Sequence, residues 1–315
     1  MAKVKKNNDE PRRGLFSGWR NWLYDPRVII ACVGICAAPF LANMARKSGT
    51  DFTTLPQYQV DRREVKLTEL PTFVPVDLLE RTWQRAGLEP TFSLLEPQLA
   101  ERIGKAFELS PWVREVKHIR LRYPNKIEIG LEYREPVALV QLQQGYYPVD
   151  RDGILLPPMD FSIKQLGSYP AVEGIDSVPR GPAGDHWGDL AVWGATRLAE
   201  MMLAAGDKDS PWKRFHFKTI RVEGHSATGI RSIDDLNQVQ YRLITDKGSE
   251  VIWGVAPDVP DPTEPNAETK LKRLEMYFRD FGGLQTAQGP VEIDLRRWKD
   301  IARRPLPSPD GRVTR

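Results

Sequence analysis

With 315 residues the chain has room for two modest domains, or for one with appendages. A hydrophobic fraction of 41% and a charged fraction of 28% fit a globular protein with ordinary cores. A net charge of only +3 gives nucleic-acid binding no support, and the two cysteines, Cys32 and Cys36, leave none for a disulfide in the rest of the chain.

Residues 1–27 are polar and basic: Lys3, Lys5, Lys6, Arg12, Arg13, Arg20 and Arg27 outweigh Asp9, Glu10 and Asp25. Trp19, Trp22 and Tyr24 then precede an uncharged run over residues 28–44. That run reaches the lower end of the roughly 17–25 residues a bilayer-spanning helix needs. Pro39 would kink such a helix, which membrane helices tolerate. Interfacial aromatic rings and the basic excess before the run predict a transmembrane helix over 28–45 with the N-terminus cytoplasmic and everything after Arg46 outside. Two other readings stand beside the anchor. One is a cleaved signal peptide, against which the long charged region and Pro39 after Cys36-Ala37-Ala38 both count. The other is a buried core helix.

Residues 46–62 read as a linker without sustained period. Residues 64–70 alternate Val65, Leu67 and Glu69, the pattern of a first strand. Asp77 with Glu80 three places on has the form of a capping box. Val76, Leu79, Trp83 and Ala86 follow at helical spacing, and Gly87 stands where a left-handed terminal residue is wanted. A second helix over 96–109 carries Leu99, Ile103, Ala106 and Phe107 on one face, and Ser110-Pro111 stops it.

Residues 113–122 then predict a strand whose apolar positions are Val116, Ile119 and Leu121. Val116 and Ile119 are three apart, so the spacing demands a bulge near Lys117-His118. Tyr123-Pro124-Asn125 supplies the turn. The next strand places Ile127, Ile129, Leu131 and Tyr133 on one face and Glu128, Gly130, Glu132 and Arg134 on the other. Strand, helix, helix, strand, strand over 63–140 makes a small two-layer α+β domain.

A second domain, a mixed α/β body with a mainly antiparallel sheet, is expected over 141–304. Asp150-Arg151-Asp152-Gly153 begins like a calcium loop but lacks the far glutamate, so it reads as a plain turn between apolar stretches. Residues 174–188 and 257–265 read as Gly- and Pro-rich loops. Helices are predicted over 189–205, with Gly206 as stop, and over 269–281, ended by Gly282-Gly283. Residues 220–222, 241–245, 250–253 and 291–295 read as strands. The tail, 305–315, is proline-rich and expected to be disordered.

The chemistry-bearing residues form no familiar constellation. His118, His186, His216 and His225 have no metal-ligand spacing, and no nucleophile elbow, phosphate loop or paired-carboxylate motif occurs. The expectation is therefore no enzyme, no catalytic residue, no cofactor and no metal. Trp83, Trp193 and Trp253 read as core anchors. Arg114, Lys117, Arg120, Arg122 and Lys126 form a basic stripe, either a solvated sheet face or a surface that meets a partner or lipid headgroups.

Pro111-Trp112-Val113, Tyr123-Pro124-Asn125 and Glu132-x-Arg134-Glu135-Pro136-Val137-Ala138 occur in that order. Val149-Asp150-x-x-Gly153 with Ile154, and Ile293-Asp294-Leu295-Arg296, follow them. With the basic tail and single span, these pieces resemble the FtsQ/DivIB cell-division proteins from the tail to about residue 305. Each motif is short, and the resemblance lies in their order and spacing. There are departures: a strand before Pro124 one residue longer, two insertions around 174–188 and 257–265, and Arg297-Trp298-Lys299-Asp300 in place of the usual turn.

The resemblance implies that the first module is a POTRA domain and the second an FtsQ-type β domain. It also implies a non-enzymatic divisome scaffold in the cytoplasmic membrane. Its partners would be FtsB/FtsL-like single-span proteins at the β domain and other divisome components at the POTRA domain, with membrane lipid around the anchor. A strand at 291–295 with an open margin would suit such a partner strand. Arg296, Arg297, Trp298, Ile301 and Arg303 are the expected contact residues. Equally open is that Asp294 and Arg296 simply pair across neighbouring strands. Another POTRA-bearing envelope factor and an envelope hydrolase with an unrecognised site are the alternatives.

Overall fold

The computed structural model describes residues 26–47, 52–204, 209–224, 228–286 and 289–307. The chain divides into two compact units, Met1–Pro56 and Gln57–Arg315. In the first, the apolar run forms one helix, α1 (Pro26–Lys47), with Pro39 inside it. Ile30, Val33, Ile35, Phe40, Leu41 and Met44 are all exposed on it. Among the residues whose side chains are described, no helix is both long and apolar enough to cross a membrane. Positions 28, 29 and 32, within the apolar run, lie outside that description, as do Trp19, Trp22 and Tyr24.

The second unit is α+β and carries two lobes. In the small lobe the expected order holds. Strand β2 (Val65–Leu67), helices α2 (Leu78–Arg85) and α3 (Leu99–Glu108), then β4 (Val113–Arg122) and β5 (Lys126–Tyr133) follow one another. The three strands lie in the order β2-β5-β4, with β2 parallel and β4 antiparallel to β5. Ile127, Ile129 and Leu131 are buried against Trp83, Leu99, Ile103 and Phe107, so the period of two has become a core face and the helices its cover. The bulge required by Val116 and Ile119 is present between Val116 and His118, with a further register break between Val113 and Glu115. Gly87 has φ +60°, as the end of α2 demanded.

Several local readings are corrected. Asp77 precedes α2 but makes no side-chain cap; its carboxylate instead takes Arg81 at 2.8 Å, one turn along. The expected linker is ordered at its far end: β1 (Gln59–Asp61) pairs with β3 (Thr91–Ser93), burying Val60 and Phe92. The basic stripe is neutralised in part by carboxylates on the same small sheet. Lys117 pairs with Glu115 and Glu132, and Arg122 with Glu128 at 3.0 Å.

The large lobe is built on a nine-stranded sheet. Its strands are β6 (Pro136–Leu142), β7 (Gly145–Asp150), β8 (Ala171–Glu173), β9 (Phe217–Glu223), β10 (Gln240–Thr245), β11 (Glu250–Gly254), β12 (Gln285–Thr286), β13 (Gly289–Asp294) and β14 (Ala302–Pro305). Their order is β12-β13-β11-β10-β9-β8-β6-β7, and β14 also lies against β13. Since β6 belongs here, the lobe boundary falls before Pro136, earlier than the expected 140. The sheet is mixed: β6-β8, β8-β9 and β11-β13 are parallel.

Helices α4 (Leu190–Leu203) and α5 (Ala267–Phe281) cover the sheet's core face. Asp189 caps α4 by accepting from the Ala191 N–H at 2.9 Å, Asn266 caps α5, and Gly282 ends α5 at φ +73°. Gly206, the expected stop of α4, lies outside the described residues. α4 comes so close to the sheet that a Cβ on Gly194 would stand 2.2 Å from the Tyr241 hydroxyl oxygen.

The lobes are joined by a shared apolar seam of Val74, Leu78, Trp112, Leu156 and Phe161. The Trp112 and Phe161 rings stack at 5.6 Å, and the Trp112 Nε1–H donates to Asp160 at 2.8 Å. Beside the seam, fully buried Asp150 accepts from Arg134 at 2.9 Å and from the backbone N–H of Asp152 and Ile154, with Arg114 at 3.6 Å. The stretch that began like a calcium loop is therefore a turn whose first carboxylate receives two arginines and two amides.

Candidate functional site

The residues after β11 create the molecule's C-terminal corner. β13 lies parallel to β11 along one side, with Ile252 opposite Asp294. Its buried Val291 and Ile293 join the core, while Glu292 and Asp294 face the other way.

The other side of β13 is not open. The chain turns back after Leu295, and β14 seals that side in antiparallel register, Val291 opposite Pro305 and Asp294 opposite Ala302. The expectation of an unpaired margin at 291–295 is thereby overturned, and the unpaired edge moves one strand outward. Among the described residues β14 has no partner on its outer side. Pro305, placed in the disordered tail by composition, ends this strand. Residues 308–315 lie outside the described residues.

The turn that makes this reversal is held by its own side chains. Arg296 grips Asp294 with two hydrogen bonds, from Nε at 3.0 Å and Nη2 at 2.9 Å. Burial works to raise the Asp294 carboxyl, but the Arg296 side-chain and backbone hydrogen bonds outweigh it and hold the group below its ordinary 3.8. Arg296 is therefore an internal clamp. The Arg297 carbonyl accepts a short hydrogen bond from Arg273 of α5. Trp298 donates its Nε1–H to the Thr263 carbonyl at 3.1 Å, yet its ring is 62% exposed. Ile301 is half-buried and packs on the core. Arg303 is exposed, its guanidinium 5.8 Å from the centre of the Phe281 ring.

Of the five expected contact residues, Arg297, Trp298 and Arg303 are thus at the surface, while Arg296 and Ile301 build the turn. Asp294 and Arg296 do pair, along one strand end rather than across two strands.

Sequence reading missed three features of the corner. The first is β14 itself. The second is a ladder of charge across the sheet's outer face. Arg221 reaches Glu250 at 3.3 Å, Arg242 reaches Glu223 at 2.9 Å, Glu250 at 3.3 Å and Glu292 at 3.0 Å, and Arg304 reaches Glu292 at 2.9 Å. Its outermost member, Arg304, therefore stands on the unpaired strand. The third is a buried ion pair: Lys270 Nζ lies 2.7 Å from Glu264, with both residues buried, and 5.5 Å from the Trp253 ring. Burial pushes the Lys270 ammonium below its usual range against the pull of Glu264. This pair floors a groove of about 700 Å³ walled by Pro257, Pro260, Val259 and Trp298. The only sequence signal for it was the composition of 257–265, which reads simply as loop.

Among the described residues no cluster of three or more His, Cys, Asp or Glu is placed to hold a metal ion. His225 lies outside them. No family model matches the chain, and no curated protein matches it.

Proposed function

We propose that this chain is a non-enzymatic scaffold of bacterial cell division, of the FtsQ/DivIB type. A single membrane helix over residues 28–45 anchors it, the N-terminus is cytoplasmic, and the two lobes stand outside the cytoplasmic membrane. In this reading the small lobe is a POTRA domain that helps bring the protein to the septum. The large lobe recruits FtsB/FtsL-type single-span partners, and one of them continues the sheet outward from β14.

The observation that carries the reading is the outer edge of β14, unpaired among the described residues. It adjoins the exposed Trp298 and Arg303 and ends a sheet whose hydrogen-bonding pattern a further strand can extend. The anchor is supported by α1, whose described large apolar side chains are exposed, the pattern of a helix that needs a nonaqueous surrounding. Basic residues before it and the run of aromatic rings agree with the orientation.

Capture of FtsB- and FtsL-type proteins by the full chain, set beside a turnover assay on peptidoglycan, tests the reading. Capture without turnover is expected; turnover without capture would replace the scaffold by a hydrolase. An alkaline phosphatase fused after Lys47 should be active, and a silent fusion would reverse the orientation.

A further inference from the structure

The outer edge of β14, unpaired among the described residues, is not uniform, and its register shows why. The Val291 N–H donates to Ser249 Oγ at 3.1 Å and the Leu295 N–H to the Ile252 carbonyl at 3.1 Å, so the odd-numbered residues of β13 turn their polar groups toward β11. The even-numbered ones turn theirs toward β14, and the Leu306 N–H accordingly donates to the Pro290 carbonyl at 2.8 Å. With Glu292 opposite Arg304 and Asp294 opposite Ala302, residues 302, 304 and 306 spend their backbone groups on β13.

Ile301, Arg303, Pro305 and Pro307 therefore carry the outward backbone groups. Proline has no N–H. Of these four outward positions, only Ile301 and Arg303 offer a donor. Beyond Arg303 a docking strand would meet ring methylenes where its carbonyls need hydrogen bonds, and a carbonyl left without a donor in an interface is costly.

We propose that Pro305 and Pro307 set the length and the register of whatever docks on β14. The occupant is a short extended segment of another chain that pairs with Ile301 and Arg303, accepts no bond past Arg303, and carries no basic residue opposite Arg303 or Arg304. A second copy of this chain does not fit. Edge-to-edge pairing of two such strands brings the arginines of one against those of the other, and like charges on facing strands repel. The inference rests on the scaffold reading above for the identity of the docking chain, and on the register alone for the shape of the window.

Hydrogen exchange of the full chain in mild detergent, resolved to single amides, tests the window without a partner. Arg304 and Leu306 exchange slowly and Arg303 fast; a slow Arg303 amide would mean the edge is already filled and would overturn the inference. The second arm adds the extracytoplasmic segment of the FtsB-type protein as probe. Its binding should slow exchange at Ile301 and Arg303 and leave Arg304 and Leu306 as they were.

Arg303→Pro, which removes the donor while breaking no bond to β13, should weaken binding at least tenfold. Arg303→Ala, which keeps the donor, should weaken it less. Pro305→Thr supplies a third donor and should tighten binding by about threefold to tenfold, the worth of one added hydrogen bond. Binding that survives Arg303→Pro unchanged, or ignores Pro305→Thr, would overturn the window while leaving the scaffold intact. No binding of the segment to the natural chain, with Arg303 exchanging fast, would remove the scaffold reading and with it this occupant.

Discussion

Among the described residues β4 stands at one margin of the small sheet and β14 at one margin of the large sheet, each paired on one side only, and the two are guarded differently. β4 spans ten residues, breaks register twice, and sets Glu115, Lys117, Arg120 and Arg122 along its exposed length. Bulges twist an edge away from a would-be partner and charges discourage pairing, so β4 is guarded along its whole run. β14 is four residues long, keeps one register throughout, and carries two exposed arginines before proline begins. Of the two edges, β14 is the one that keeps its register, next to the exposed Trp298. On the proposed reading, a strand at the margin of a sheet becomes a docking element where neither bulge nor proline intervenes, here a stretch centred on Arg303.

The largest effect should come from what supports each edge. Lys270→Met leaves the Glu264 carboxylate buried without its cation beneath the corner that carries β14, and should cost about 3–5 kcal/mol in denaturant unfolding. The corresponding change on β4, Arg122→Met, breaks a pair open to solvent and should cost about 0–1 kcal/mol. Equal costs would mean that the C-terminal corner does not depend on its buried pair.

Next comes the bulge. A Cβ on Gly130 would stand 2.3 Å from the His118 ring, which is exposed and can swing aside, so Gly130→Ala should destabilise by about 1 kcal/mol. Adding His118→Ala should recover most of that loss. A fully additive double mutant would show that the bulge does not seat His118 over Gly130.

Acid should act on β14's side. The Asp294 carboxyl is held below 3.8, so the unfolded chain takes up its proton at a higher pH than the folded one. The stability this lends is present above 3.8 and is lost as pH falls through the folded-state value. Asp294→Asn should therefore lose less stability than the natural chain between pH 4 and pH 2, followed by thermal unfolding. The smallest effect is expected for Arg304→Ala, which removes the exposed end of the charge ladder and should cost at most about 1 kcal/mol.

How much of this was legible follows from where the burial lies. β5 could be read because one of its faces is a core: Ile127, Ile129 and Leu131 alternate with Glu128, Gly130 and Glu132, and even the neighbouring bulge followed from a misplaced pair of apolar residues. α5 could be read from Leu274 and Phe278 with Gly282 behind them. β14 could not, because Ala302-Arg303-Arg304-Pro305 has no buried face; pairing with β13, not burial, makes it a strand. β1 and β3 were hidden by their length instead: at three residues each, with one or two buried positions, they are too short to show a period. At the corner, Trp298 and Arg303 were found by residue type and sequence position. The ion pair of Lys270 and Glu264 was invisible because the acid sits in a proline-laden loop and the base on a helix otherwise read as amphipathic.

The most direct test of the account places a photoreactive amino acid at Arg303 or at Lys117 of the full-length protein in dividing cells. The account predicts that position 303 captures an FtsB-type partner at the septum and that position 117 on β4 does not. Capture of that partner through position 117 with none through 303 would contradict it.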